Sequence, residues 1–136
     1  MTSTVRKRVE VVAAAIKSDR SILCVQRPVS DKPYISMKWE FPGGKIEAGE
    51  SLEEALIREI REELSVDIAV EDLIDVVEHS YPDFDITMHV FFCRCVQGEI
   101  TLREHLAHRW LVKETIADLD WAEADVPIVK KLENIL

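Results

Sequence analysis

Gly43-Gly44-Lys45-Ile46-Glu47-Ala48-Gly49-Glu50-Ser51-Leu52-Glu53-Glu54-Ala55-Leu56-Ile57-Arg58-Glu59-Ile60-Arg61-Glu62-Glu63-Leu64 reads as a glycine loop running into an amphipathic helix. Ser51 is a good N-cap, and Glu54 at the third helical position completes a capping box. From Leu52 to Leu64 there is neither Gly nor Pro, and most residues are strong helix formers. With successive residues about 100° apart, Glu59, Glu62 and Glu63 share an arc of about 100°. Leu56, Ile57, Ile60 and Leu64 fill the neighbouring arc. The acids therefore lie at the edge of the buried stripe and not on the far, solvated side.

That placement is electrostatically costly. Like charges four residues apart, such as Glu59 and Glu63, destabilise a helix by about 0.2–0.5 kcal/mol. An apolar wall beside them worsens desolvation. A hard cation reverses the sign: Mg²⁺ accepts carboxylate oxygens and keeps waters and substrate phosphates as its other ligands. A solvated acidic face is the plain alternative for any Glu-rich helix. Here the glycine loop, the cap and the acids occur together and in order.

The combination resembles the Nudix box, G-x5-E-x7-R-E-U-x-E-E-x-G-U with U a bulky aliphatic residue; Gly44, Glu50, Arg58, Glu59, Ile60, Glu62, Glu63 and Val66 fall in register. One position departs, Ser65 standing where the pattern has its late glycine. If the helix ends there in a left-handed residue, serine costs about 1 kcal/mol more than glycine.

With 136 residues the chain is expected to form one domain over 1–136 with a sizeable core. Its 47% hydrophobic and 32% charged residues are ordinary for a water-soluble fold. No apolar run approaches the roughly 20 residues needed to span a bilayer, and no signal-peptide pattern opens the chain. The expectation is a cytoplasmic protein with no membrane partner. A net charge of −9 argues against a nucleic-acid polymer, which demands a basic face, but not against a small nucleotide complexed with metal. Cys24, Cys93 and Cys95 lie in apolar, strand-like runs without Cys-x-x-Cys spacing, so reduced core thiols are expected and no zinc site.

Residues 5–16 read as a strand, 17–20 as a hairpin turn and 21–26 as a second strand. Arg27-Pro28 opens a polar loop, and Trp39-Glu40-Phe41 is a short extended piece. After the central helix, β-branched runs fall at about 66–70 and 73–80, followed by a turn at Tyr81-Pro82-Asp83 and a long strand from Phe84 to Val96. A short strand at 108–112, one helical turn at 114–119 and a closing helix over about 126–135 complete the chain. Strands on either side of one long helix, with a closing helix, suggest a mixed sheet between helices. The Nudix resemblance implies the same fold class, an α/β (α+β) sandwich of α/β/α layers.

The resemblance also implies a hydrolase of nucleoside diphosphates linked to another group, with Mg²⁺ as cofactor and Mn²⁺ as a substitute. The nearest branch is MutT-like and CTP pyrophosphohydrolase-like enzymes, which cut a nucleoside triphosphate to monophosphate and pyrophosphate in keeping the nucleotide pool clean. On this analogy Glu59, Glu62 and Glu63 are metal ligands with the Gly43 carbonyl, and either Glu62 or Glu59 is the general base. Arg58 orients the acids, against the plain alternative of a surface ion pair with Glu54 or Glu62. Gly44 and Glu50 hold the loop, Glu50 beside a helix N-terminus that favours its charge. Glu104 looks like the distal acid that joins the metal site in MutT-like proteins. His105 and His108 read as exposed-loop histidines able to assist a proton transfer.

For the substrate, Arg27 ends the second strand where such enzymes place a basic residue, and Lys45 in the box loop is a second candidate. Asp125 lies in the segment that meets the base in these enzymes. An ionised Asp is acceptor-only and pairs with an exocyclic amine such as N4 of cytosine, which points to (d)CTP and modified cytidine nucleotides. A neutral Asp125 donates to a purine oxygen instead, and as a purely structural residue Asp125 would N-cap the closing helix. Phe41, Tyr81 and Phe84 are candidate stacking partners, at least two of them expected to serve mainly as core. An 8-oxo-dGTP diphosphatase, a hydrolase of ADP-ribose or a nucleotide sugar, and a ligand-binding module without activity are the other readings. Monomer and homodimer are both open.

Overall fold

The computed structural model describes residues 6–136. Its sheet is built on β1 (Lys7–Ser18), whose run from Val12 to Ile16 is buried on both faces. Side chains alternate across a strand, so Val12, Ala14 and Ile16 enter one core and Ala13 and Ala15 the other. Such a continuous apolar run is what a strand covered on two sides requires. The expected strand begins at Val5, which lies outside the described residues.

A two-residue turn at Asp19-Arg20, with Asp19 in the left-handed region, leads into β2 (Ser21–Gln26). The two-residue β3 (Trp39–Glu40) pairs with β2, and β4 (Gly43–Lys45) pairs with β1 at Val11–Ala13. The helix α1 (Leu52–Leu64) follows, then β5 (Asp67–Ser80) and β6 (Phe84–Gln97), which pairs parallel to β1 along most of its length. β7 (Ala107–Leu111) pairs with β2. The chain closes with 3-10 turns at Ile116–Asp118 and Glu123–Asp125 and the helix α2 (Val126–Ile135). One parallel pairing among antiparallel ones makes the sheet mixed, as expected.

The helices cover opposite faces. Ala55, Leu56, Ile60 and Leu64 of α1 pack on one side with Leu23 and Val25, and Ile128, Val129 and Leu132 of α2 pack on the other with Ile22, Cys24 and Leu111. The layers are α/β/α, as the sequence implied. Three details differ. The two strands expected at 66–70 and 73–80 are the single β5, whose irregular register between Val70 and Asp75 absorbs the polar Glu71-Asp72. β4 is a strand because Gly43 and Gly44 let the chain lie hard against β1: a Cβ on Gly43 would sit 2.0 Å from the Val12 carbonyl oxygen. Cys95 is exposed, unlike the buried Cys24 and Cys93, so only two of the three thiols are core; all three are free.

The N-terminus of α1 is capped as read. Ser51 Oγ accepts from the Glu54 N–H at 3.1 Å, and a Glu54 carboxylate oxygen accepts from the Ser51 N–H at 2.9 Å. Its C-terminus ends in Ser65 at φ 59° and ψ 29°, the left-handed geometry that favours glycine. The side chain of Val66 then drops into the core beside α1.

Candidate active site

The three acids of the α1 arc meet three different environments. Glu62 is 60% exposed, and its carboxylate accepts from Arg58 Nη1 at 3.3 Å. The Glu59 side chain is only 14% exposed; its Oε1 accepts from the same nitrogen at 2.9 Å. Glu59 also rests on Gly44, where a Cβ would stand 2.4 Å from Oε2, so any larger residue at 44 would expel the carboxylate. Glu63 turns furthest inward. Its Oε2 is buried without a hydrogen-bond partner, and burial, then the charges of Glu40, Glu59 and Glu104, push its carboxyl up to about 9.

Arg58 joins the helix to the loop before it. Its Nε and Nη2 grip the two oxygens of Glu50 at 2.6 and 2.9 Å, while Nη2 also donates to the Lys45 carbonyl at 3.0 Å. The Arg58 guanidinium, ahead of the Glu47 N–H, holds the Glu50 carboxyl below the usual carboxylate range. The anticipated contact with Glu54 is absent, because that side chain is spent on the Ser51 cap. A fork with five donors suits this hub, and a lysine could not make its contacts.

A second network lies across from the helix. Arg27 Nη1 donates to Glu40 Oε1 at 3.2 Å, and His105 Nε2 meets Glu40 Oε2 at 3.1 Å. The His105 side chain is 5% exposed, correcting its reading as an exposed-loop histidine: once β7 pairs with β2, residue 105 is drawn under the loop and onto Glu40. His108 is exposed, as read, but it lies in β7 paired with Val25 and not in a loop. Further along, Asp125 is 4% exposed, and its Oδ1 accepts from the Phe41 N–H at 3.1 Å. It makes no side-chain cap to α2, so the capping alternative fails. Burial first, then the Glu40 charge, raise the Asp125 carboxyl well above its ordinary range. Phe41 packs on Trp121 with ring centroids 4.8 Å apart; Tyr81 is buried, its hydroxyl accepting from the Ala124 N–H.

A cleft of about 520 Å³ runs between these groups. Arg27, Phe41, Gly43, Gly44, Lys45, Glu63, Glu104 and Asp125 all line it. Arg58, Glu50, Glu59 and Glu62 stand behind or beside the wall, with Glu59 reaching the lining through its contact on Gly44. Glu40 is the wall residue that sequence reasoning missed. Its signal was a carboxylate flanked by Trp39 and Phe41, an expensive setting for a charge without a partner.

Among the described residues no three His, Cys, Asp or Glu side chains already converge closely enough to hold a metal. The donor set nevertheless fits a hard divalent cation. Every candidate is an oxygen donor, the Glu63 carboxyl is surrounded by acids, and one of its oxygens has no other partner. Glycine at 44 leaves room for Glu59 beside it. No helix among the described residues is long and apolar enough to cross a membrane.

Against known proteins, the chain matches the NUDIX domain over residues 6–132. It is 36% identical to the CTP pyrophosphohydrolase of Escherichia coli (strain K12) over 125 residues, 91% of this chain and 90% of that one. It is also 36% identical to the 8-oxo-dGTP diphosphatase of Proteus vulgaris over 97 residues, 71% of this chain and 85% of that one. The solution structure of a MutT protein from methicillin-resistant Staphylococcus aureus 252 superposes with a TM-score of 0.77 at 40% identity, covering 97% of this chain and all of that one.

Proposed function

The chain belongs to the Nudix hydrolase family, and from that premise we propose that it is a Mg²⁺-dependent pyrophosphohydrolase cleaving (d)NTP to (d)NMP and pyrophosphate, with (d)CTP and modified cytidine nucleotides preferred. One observation carries the reading: a single cleft is lined both by Glu63 among crowded acids and by Phe41 with Asp125. A triphosphate bound along it would lay its anionic end on the acids through a cation and its base on Asp125. The 36% identity to a CTP pyrophosphohydrolase supports the cytidine assignment, and the equal identity to an 8-oxo-dGTP diphosphatase supports the second reading below as well.

Glu59, Glu62, Glu63 and Glu104, with the Gly43 carbonyl, would hold the cation. When bound, it supplies charge neutralisation for phosphate oxygens and a lowered pKa for water. Arg58 fixes the orientation of Glu59 and Glu62, one of which takes the proton of the attacking water. Arg27 and Lys45, both on the cleft wall, supply positive charge to the phosphates. Gly44 and Glu50 keep the loop where these contacts need it.

A second reading, 8-oxo-dGTP as substrate, is favoured by the raised Asp125 carboxyl, since a neutral acid donates to a purine oxygen. A screen of pyrophosphate release with Mg²⁺ over canonical and modified (d)NTPs, run beside Glu59→Gln, separates them. Fastest turnover of (d)CTP or 5-methyl-dCTP, lost by at least about 10²-fold in the variant, sustains the first reading. If 8-oxo-dGTP leads, the second stands. If only ADP-ribose or a nucleotide sugar turns over, neither triphosphate reading holds.

A further inference from the structure

Ser65 occupies a left-handed position, φ 59° and ψ 29°, that glycine would fill at least cost. Its hydroxyl makes contacts glycine cannot. Arg103 Nε and Nη2 both donate to Ser65 Oγ, at 3.0 and 2.9 Å. The same segment satisfies carbonyls that the end of α1 would otherwise leave orphaned: Thr101 N–H donates to the Leu64 oxygen at 2.9 Å and Arg103 N–H to the Glu63 oxygen at 3.2 Å. Gly98, at φ +100°, lets the chain pass close to the helix end, where a Cβ would be 2.8 Å from the Ser65 carbonyl oxygen. Leu106 N–H then donates to the Gln26 oxygen at 2.9 Å, fastening the far side of the segment to β2. The cationic Arg103 also lies at the negative end of the helix dipole, where it is favoured.

Residues 98–106 are thus laid across the C-terminus of α1 and tied at both ends. The two residues after Arg103 serve the site. Glu104 lines the same cleft as Glu63, and His105 Nε2 meets a carboxylate oxygen of Glu40 at 3.1 Å. We infer that Ser65 is a positioning residue: its hydroxyl, through Arg103, holds Glu104 on the cleft wall it shares with Glu63 and so sets the cation affinity of the acid cluster. The inference rests on the proposal that Glu63 and Glu104 take a divalent cation. A clamp serving stability alone predicts something different, because Ser65→Gly relieves the left-handed backbone while deleting the hydroxyl. Fold stability and cation affinity then move apart.

The probe is Mn²⁺ alone, without substrate, titrated against the full-length protein and followed by the electron paramagnetic resonance of the free ion. Ser65→Gly should keep or raise the melting temperature, speed hydrogen exchange of the 99–106 amides, and weaken Mn²⁺ binding about tenfold, the usual loss when a ligand's outer support is removed. Ser65→Asn tolerates the left-handed backbone and restores an acceptor, so it should recover affinity to within about threefold of the natural protein. Glu104→Gln should weaken Mn²⁺ as well, and adding Ser65→Gly to it should cost nothing more. If Ser65→Gly binds Mn²⁺ like the natural protein while Glu104→Gln does not, the positioning role is wrong. If Glu104→Gln itself binds normally, Glu104 is no ligand and the site assignment beneath the inference fails instead.

Discussion

The two ends of the cleft are built in different ways. At the acid end, Glu50, Arg58, Glu59, Glu62 and Glu63 come from one loop–helix segment, the last four placed by helical geometry and Glu50 by its bonds to Arg58. At the other end, Phe41, Asp125, Arg27, Glu40 and His105 come from segments up to 98 residues apart in the chain (Arg27 to Asp125), and only the finished sheet brings them together. The acid end leaves a buried oxygen of Glu63 unsatisfied near Glu59 and Glu104, and the Glu40 charge reaches it from the other group. At the other end Arg27 and His105 both bond to Glu40, while Arg27 Nε and His105 Nδ1 are likewise buried without partners. On the proposed function, the first end would take a cation and the other would select by shape and hydrogen bonding. The first should be intolerant of small changes in charge, the second tolerant of them in turnover but not in selectivity.

The largest test of that asymmetry is Glu63→Gln. It conserves volume and removes only the ability to ionise, so kcat/KM should fall by at least about 10²-fold. The melting temperature at pH 7 should not fall, since no ion pair is broken and a carboxyl pushed up to about 9 is already neutral at that pH, as the amide is. A variant that unfolds early would mean Glu63 is a structural anchor after all. Arg58→Lys comes next. Lysine keeps the charge but loses the fork across Glu50 and the bond to the Lys45 carbonyl, so activity should drop about tenfold. Its melting temperature should fall too, because the loop before α1 loses its tie. Normal activity in the lysine variant would show that charge alone, not geometry, is what Glu59 and Glu62 need.

The same contrast explains what could be read in advance. The cap at Ser51, the buried stripe of Leu56, Ile60 and Leu64, and the inward placement of Glu63 are consequences of a 3.6-residue period and local hydrogen bonding. Ser65's left-handed conformation was equally local. His105 was misread because its burial depends on β7 pairing with β2, a contact between residues 81 (Gln26 to Ala107) to 89 (Ile22 to Leu111) positions apart that no local pattern encodes. β4 escaped notice because Gly43-Gly44-Lys45 has no strand propensity; it is a strand only because glycine allows close approach to β1. Glu62 drew attention equal to Glu63, yet one step around the helix leaves it 60% exposed. An arc of about 100° is wide enough to include both the wall of a cleft and its rim.

Asp125→Asn should change kcat the least of these variants, yet it decides most about the far end. The amide oxygen can still accept from the Phe41 N–H, so the local structure survives, while the group facing the cleft becomes a donor. If Asp125 acts as an acceptor for a cytosine amine, KM for (d)CTP rises and selectivity over 8-oxo-dGTP is lost. If it acts as a neutral donor to a purine oxygen, the amide N–H replaces it and 8-oxo-dGTP turnover persists. Stability gives an independent reading. The folded pKa of Asp125 lies above its ordinary 3.8, so the folded state binds more protons than the unfolded one, and this residue's contribution falls as pH rises from about 4 toward the folded value. Asparagine has no such slope. The melting temperature of Asp125→Asn should therefore exceed that of the natural protein most at pH 8, with the gap closing toward pH 4. A gap that stays constant across that range would mean the carboxylate is ionised at little cost, its charge relieved by Arg27 and water in the cleft, and would return Asp125 to the acceptor role that a cytidine substrate requires.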